Sequence, residues 1–351
     1  MKIWKKKFAT LYLMGILGTG LMGCGNEQGK TTELSVTPFS YESEFEEELF
    51  SEPIVNQIET MEAPDVEEEK DEDEVEIIEV DVVVANSRTE VIDNLENGRI
   101  IGYLPEGRTA DLIAVEDNGY TQIDYFGDTA LVKTEKVSLS KVYDFKSPIK
   151  KILYATEDTS LVIPDYLSET GEQVTVDIPK LECFEVYQED EALYLVKTEE
   201  YIGYIAKDKV AELNGTIAVI DIELQKVTLY KDNVVINTYP VVTGLPTKSR
   251  ETDLGLWEIH NITGARNLIG DGGSKTPVDI MMKFHNNEGF HDAEYHTCDN
   301  WKNRHGWRDT SEFGGDTYIN DGSHGCCNMR HEDVFELSEY ITMGTPVLVK
   351  P

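Results

Sequence analysis

Positive charge is what this 351-residue chain has least of. It carries 31 Lys and Arg against 67 Asp and Glu, a formal charge of −36. Nucleic-acid binding needs a basic footprint to neutralise phosphates, so that class is excluded. Cysteine is scarce too, with Cys24, Cys183, Cys298, Cys326 and Cys327 the only five. Spread so thinly, they make no disulfide scaffold. Cys298 with Cys327 is the one pairing to consider, and Cys183, in a β-like run, reads as a small buried apolar residue. The apolar run at residues 8–17 is too short and too glycine-interrupted for a permanent membrane span. Histidine is missing until His260; all seven (His260, His285, His291, His296, His305, His324, His331) fall in the last 92 residues. Imidazole chemistry is therefore confined to the C-terminal part.

Lys2, Lys5, Lys6 and Lys7 precede the apolar run, and small residues and Leu21-Met22-Gly23-Cys24 come after it. This is the layout of an export signal. The last four residues resemble a bacterial lipobox. That resemblance implies a lipoprotein signal peptide over 1–23 and lipidation of Cys24; ordinary cleavage near Gly23 is the alternative. More than one acyl chain gives stable anchoring, here to the outer face of the cytoplasmic membrane, facing the cell wall. Residues 25–80 then hold twenty acidic side chains and two lysines, Lys30 and Lys70, with no regular hydrophobic period. Such a segment buries too little to offset its ordering entropy. Residues 24–81 read as an acidic disordered tether; as a neutral coil it would span roughly 45 Å, and like charges would lengthen it.

From Val82 the pattern changes to short β-type runs between turns, such as Asp111-Leu112-Ile113-Ala114-Val115, Asp117-Asn118-Gly119 and Tyr120-Thr121-Gln122-Ile123-Asp124-Tyr125. This order, over 82–142, resembles a bacterial SH3 domain. A divergent second copy is expected at 148–211, where residues 194–205 repeat a strand–turn–strand shape with a Gly-Tyr before the last strand. Tyr120, Tyr125 and Phe126 read as core. The two modules either bind wall or space and orient the C-terminal domain.

That last domain is expected over 215–351. Residues 217–222, 226–230 and 234–238 read as a strand meander with a turn at Lys231-Asp232-Asn233. Val334, Leu337 and Ile341 recur at helical spacing, with Glu332 and Asp333 in the first turn and Gly344 after the end. Pro346-Val347-Leu348-Val349 closes as a strand. The fold class is thus mainly β: two small barrels, then a β-sandwich with a short C-terminal helix.

The chemistry concentrates in Ser323-His324-Gly325-Cys326-Cys327-Asn328-Met329. Glycine beside a thiol lets backbone N–H groups face a developing oxyanion. A cysteine nucleophile also needs a base and an orienter for that base. Cys326 supplies the thiol, favoured as thiolate beside an imidazolium. His291, His296, His305 and His324 are the candidate bases. His324 is two residues from the thiol, so its ring diverges from the sulfur in extended chain. His291 comes after a glycine and an apolar residue, as a strand-edge ring would. His260, His285 and His331 sit among polar residues and read as surface.

Ser323-His324-Gly325-Cys326-Cys327-Asn328 resembles the [Ser/Thr]-His-Gly-Cys-x-Asn signature of L,D-transpeptidases of the YkuD fold. The similarity extends to Gln225, Thr276-Pro277-Val278-Asp279, Gly289-Phe290-His291-Asp292-Ala293, Trp307-Arg308, Phe313-Gly314-Gly315-Asp316 and Gly344-Thr345-Pro346-Val347, in family order. The resemblance implies that Cys326 attacks a tetrapeptide stem, D-alanine leaves, and a thioacyl-enzyme passes the acyl group to an acceptor amine as a 3→3 cross-link. It implies His291 as general base and the Asp292 backbone carbonyl as its orienter. His324, Gly325 and Cys326 would line the oxyanion site, with Tyr318 as an extra donor. Arg330 would hold a substrate carboxylate, and Ser323 and Asn328 would brace the loop. It implies peptidoglycan stem peptides as partners, carbapenem-type β-lactams as inhibitors, and no metal or organic cofactor. One departure is an insert at 294–306, which sets His291 and Cys326 35 positions apart; it reads as a loop beside the cleft, and His296 or His305 is the alternative base. Cys327 stands at a usually apolar position, as a core residue or a redox partner.

Three other readings compete. Water in place of the amine gives an L,D-carboxypeptidase. His291, His296, Cys298, His324 and Cys326 are acceptable zinc ligands for a wall peptidase, but no tight zinc motif or base glutamate at a fixed offset accompanies them. A non-catalytic wall-binding protein is the third, against which the intact Ser323-His324-Gly325-Cys326 argues.

Overall fold

The computed structural model describes residues 75–168, 170–269, 275–293 and 312–351. The export signal, Cys24, the acidic segment up to residue 74, His296, Cys298, His305 and Trp307-Arg308 lie outside the described residues.

The first sheet consists of β1 (Ile77–Ala85), β2 (Thr89–Ile92), β3 (Ile100–Leu104), β4 (Thr109–Val115), β5 (Tyr120–Tyr125), β6 (Asp128–Lys133) and β7 (Val137–Phe145). The second consists of β8 (Lys151–Ala155), β9 (Thr159–Ile163), β10 (Val174–Ile178), β11 (Cys183–Glu189), β12 (Leu193–Lys197), β13 (Ile202–Ala206) and β14 (Val210–Leu213). Their strand orders are β3-β2-β6-β5-β4-β1-β7 and β10-β9-β13-β12-β11-β8-β14. Shifted by seven strands, the two are identical. Each also has a 3-10 turn just before its last strand, at Thr134–Lys136 and Lys207–Lys209. The repeat lies in topology, because Gly102-Tyr103 is in β3 and Gly203-Tyr204 is in β13, which are not equivalent strands.

The first sheet begins earlier than composition suggests: residues 77–81, acid-rich enough to read as tether, pair with β7 from Ile77↔Phe145 onward. Glu79 and Asp81 alternate with Val80 and Val82, a strand period that the acid-rich composition conceals. Val83, Val91, Ile123, Tyr125 and Val132 fill the core of this sheet. Tyr125 is thus core, as its pattern indicates, while Phe126 packs beside it. Phe145 stacks on Tyr187 at 3.9 Å between ring centres, in a cluster joining the first two sheets.

The third sheet is built from β15 (Thr216–Asp221), β16 (Lys226–Lys231), β17 (Val234–Val242), β18 (Gly255–Glu258), β19 (Asn261–Thr263), β22 (Met281–His285), β23 (Glu288–Asp292), β24 (Cys327–Met329) and β25 (Pro346–Lys350). A separate hairpin is formed by β20 (Arg266–Ile269) and β21 (Lys275–Val278). The nine strands run in the order β18-β25-β15-β16-β17-β24-β23-β22-β19. The meander read from sequence is β15–β17, and its turn has Asp232 and Asn233 at φ 51° and 64°, the left-handed pair that a tight hairpin demands. Two pairings are parallel, β15 with β25 and β23 with β24. Helix α1 spans Tyr318–Asp321 and α2 spans His331–Tyr340. Val334 and Leu337 of α2 are fully buried against Phe290, Cys327 and Met329, and Glu332 and Asp333 favour its N-terminal dipole.

Ile152, Cys183 and Leu213 of the second sheet share a cluster with Ile217, Val219 and Leu348 of the third. Beside it, Lys350 Nζ lies 2.8 Å from both Glu182 and Asp221. A cavity of about 380 Å³ opens here, lined by Asp111, Lys197, Glu199, Lys226 and Lys350. It is charged but remote from the cysteine loop. No helix among the described residues is long and apolar enough to cross a membrane.

Candidate active site

The parallel pair β23–β24 creates the site. Its register is Phe290↔Cys327, His291↔Asn328 and Asp292↔Met329. Phe290, Cys327 and Met329 point into the core. Side chains alternate along a strand, so His291, Asn328 and Cys326, just before β24, share the opposite face. Cys326 and Asn328 are two positions apart, roughly 7 Å along the chain, so the thiol lies about one such step from the register position of His291. β23 is an interior strand between β24 and β22, not the edge that the local sequence suggests; the parallel neighbour, brought from 35 positions away, is what makes it interior. Cys327 is a core residue, fully buried.

His291 is only 5 % exposed. Its Nδ1 lies 3.0 Å from the Asp292 backbone oxygen. A carbonyl can only accept, so Nδ1 carries the proton in this contact and Nε2 is the ring's other nitrogen. The Asp292 side chain points elsewhere: its Oδ1 accepts the N–H groups of Asp279 and Ile280 at 2.7 and 3.1 Å.

The cysteine loop is held from several directions. Ser323 Oγ donates to the Cys326 carbonyl and accepts the Gly325 N–H at 3.1 Å. Thr252 Oγ1 donates to the Gly325 carbonyl at 3.0 Å and accepts the Gly244 N–H at 2.9 Å. Gly325 has φ 106°, and a Cβ there would come 2.6 Å from Glu288 Oε1. The positive φ favours glycine there, while the Glu288 side chain could swing aside for a Cβ. Gln225, fully buried, ties the β15–β16 turn to β17 through Thr243, accepting its N–H at 2.8 Å.

Burial pushes the Cys326 thiol up to about 11, with the Glu288 charge adding to it; a Gly289 backbone hydrogen bond and Lys283 act the other way. The resting group is therefore a neutral thiol, 3.7 Å from the Asn287 carbonyl. Burial and the Asp253 charge push Glu288 up to about 7, against the pull of a hydrogen bond from the Asp253 N–H. A thiol of this kind needs a base in order to attack.

Other residues singled out by sequence take different places. His324 is exposed, with Nδ1 3.4 Å from Arg250 Nη2. Tyr318, on α1, is half-buried, and the charges acting on its hydroxyl are Glu223, Arg108 and Asp221, a different set from those around Cys326. Arg330 donates from Nη2 to the Ile101 carbonyl of the first sheet at 3.2 Å. It thus fastens that sheet to the loop after β24. Asn328 holds the loop through its β17 and β23 pairings, and its buried Oδ1 has no hydrogen-bond partner.

The first sheet also grips Phe313-Gly314-Gly315-Asp316. Arg88 Nε lies 2.9 and 3.1 Å from the Asp316 carboxylate oxygens, and its guanidinium sits 3.5 Å over the Tyr103 ring. A Cβ on Gly314 would come 2.6 Å from the Phe126 ring. Sequence reasoning did not reach Thr252, Arg250 or Glu288. Glu288 did leave a trace, as a carboxylate two positions before core-facing Phe290. Thr252 and Arg250 left none, because they act on residues more than seventy positions away.

Comparison with known proteins adds a family match over the last part of the chain. Residues 215–349 match YkuD, the L,D-transpeptidase catalytic domain. The matched stretch is the third sheet with its two helices, and it makes this region an acyltransferase domain with a peptidoglycan-related role. The two seven-stranded sheets lie outside it. Among solved structures, the catalytic domain from the E. faecium L,D-transpeptidase is 29 % identical, over 39 % of this chain and 98 % of that one, with a TM-score of 0.31. The same domain acylated by ertapenem is 28 % identical, over 40 % and 100 %, with a TM-score of 0.32. An L,D-transpeptidase from Mycobacterium smegmatis is 13 % identical, over 60 % and 90 %, with a TM-score of 0.30. Superpositions at such scores add no weight to the family match. No curated protein matches the chain.

Proposed function

We propose that this protein is a cysteine-dependent L,D-transpeptidase that forms 3→3 cross-links in peptidoglycan. The observation that carries the reading is the His291 Nδ1 to Asp292 carbonyl contact, on the strand beside the Cys326 loop. It leaves Nε2 as the proton acceptor on the face that carries the thiol. His291 takes the thiol proton as sulfur attacks the carbonyl before the terminal D-alanine of a tetrapeptide donor. Backbone N–H groups around Gly325 and Cys326 steady the oxyanion. The imidazolium returns its proton to the departing D-alanine amine, leaving a thioester on Cys326. An acceptor amine then attacks that thioester, and its proton passes to His291 while the thiolate leaves. The thioester conserves the energy of the broken peptide bond, so no ATP is needed.

The E. faecium domain acylated by ertapenem is consistent with carbapenem acylation of Cys326 here. We further read the two seven-stranded sheets as tandem SH3-like modules, and Cys24 as the lipid anchor of an exported protein that faces the wall. The first of these rests on the repeated strand order, the second on Leu21-Met22-Gly23-Cys24 alone.

The test is mass spectrometry of products from purified protein and disaccharide-tetrapeptide. Cross-linked dimer with loss of D-alanine, absent in Cys326→Ala, is the expected result. Tripeptide alone would make the enzyme an L,D-carboxypeptidase, and no product at all would sink the catalytic reading. [³H]palmitate labelling that is lost in Cys24→Ala tests the anchor.

A further inference from the structure

Behind the catalytic strand, on the face away from Cys326, three side chains converge. Asp279 sits between β21 and β22, Asp292 ends β23, and His331 opens α2. Their ligand atoms all lie within 4.8 Å of one another. His331 Nδ1 is 3.9 Å from Asp279 Oδ2 and 3.9 Å from Asp292 Oδ2.

Asp292 is the informative member. It is 0 % exposed. Its Oδ1 is satisfied by two backbone N–H groups, but its Oδ2 has no hydrogen-bond partner and faces His331. A buried carboxylate oxygen without a partner is costly and calls for a compensating charge. The 3.9 Å separations are too long for hydrogen bonds. They match the spacing of ligands around a shared cation: donors about 2.1–2.4 Å from one ion lie roughly 3–4 Å from each other.

We propose that Asp279, Asp292 and His331 form a binding site for one divalent cation. Two carboxylates with one imidazole suit Mn²⁺ or Zn²⁺; Ca²⁺ prefers all-oxygen shells and Cu⁺ prefers thiolates. Asp279 and His331 are partly exposed, which leaves a path for the ion and room for water on its open side. Phe335 packs on the His331 ring at 4.6 Å and fixes its plane. The site shares no ligand with the zinc set weighed from sequence. Its consequence is positional: the ion clamps the Asp292 side chain from behind while the Asp292 carbonyl holds His291 Nδ1–H in front. The proposal does not depend on the reaction that Cys326 performs.

The experiment uses Mn²⁺ as probe on the full chain at physiological salt. Electron paramagnetic resonance reads free against bound Mn²⁺, and thermal unfolding is monitored with Mn²⁺ or with EDTA. The acidic residues at 25–80 contribute the same loose binding to every variant, so the site is read as a difference. The wild type is expected to hold one Mn²⁺ per chain beyond that background. Its Tm should rise by roughly 5 °C at about a hundredfold excess over Kd. Asp279→Asn and His331→Gln, each nearly isosteric, are expected to weaken binding at least tenfold and to abolish the Tm shift. A wild type indistinguishable from both variants overturns the site. The wild-type Tm comparison needs no variant to fold, and a Tm equal in Mn²⁺ and EDTA also counts against the proposal.

Discussion

Two buried polar regions of this molecule obey opposite rules. Where the second sheet meets the third, Lys350 is wedged between Glu182 and Asp221 and is 6 % exposed. Burial works against its charge, but the two carboxylates outweigh that and hold it above the usual lysine range. At the β23–β24 pair the groups are left wanting: a thiol raised by burial, a glutamate raised by burial, and two buried oxygens, on Asp292 and Asn328, without hydrogen bonds. Structural charge is matched at once, within the fold. At the β23–β24 pair the groups are held short of full satisfaction, and groups perturbed in this way cluster where chemistry is done.

The largest expected effect lies in the reactive region. His291→Ala should lower kcat by roughly 10²–10⁴-fold with little change in Tm, read by turnover of disaccharide-tetrapeptide and by calorimetry. Equal loss of stability and activity would put His291 on the structural side of the comparison.

Next is the junction. Lys350→Met leaves two buried carboxylates unpaired and should cost about 3–5 kcal/mol, measured by urea unfolding. A neutral outcome would mean that the paired region is no more stringent than the reactive one.

Glu288 comes third. An acid whose folded value is raised binds its proton more tightly folded than unfolded. Its contribution is therefore favourable below the unfolded value and is lost as pH rises towards about 7. Glu288→Gln should be the more stable form above that pH, by on the order of 1 kcal/mol after solvent screening. It should also lower the Cys326 value, so alkylation by iodoacetamide at pH 8 should speed up several-fold. An unchanged alkylation profile would detach Glu288 from the thiol.

The smallest effect belongs to Arg88→Ala at the grip on Asp316. About 0.5–1 kcal/mol is expected, together with faster hydrogen exchange around Phe313.

Much of this was legible in the sequence. The strands at Thr216–Val242, the helix with Val334 and Leu337 inward, and the closing strand at Pro346 arise from period and turn chemistry, which act locally. The contact from His291 to the Asp292 carbonyl, between chain neighbours, was expected only through the family resemblance. What sequence left unread depends on distant partners. Arg330 resembles a substrate ligand until the first sheet brings Ile101 to it. His331 reads as surface until β21–β22 and β23 deliver two aspartates. Residues 77–81 read as acidic spacer because strand alternation there is written in acids, and only β7 shows them paired.

The most direct test is the mass of the intact protein after brief incubation with a tetrapeptide stem donor, with peptide mapping of the product. The account predicts one acyl adduct, lacking the terminal D-alanine, on the peptide that carries Cys326, and none in Cys326→Ala. Cross-linking that proceeds in Cys326→Ala, or an adduct on another residue, would contradict it.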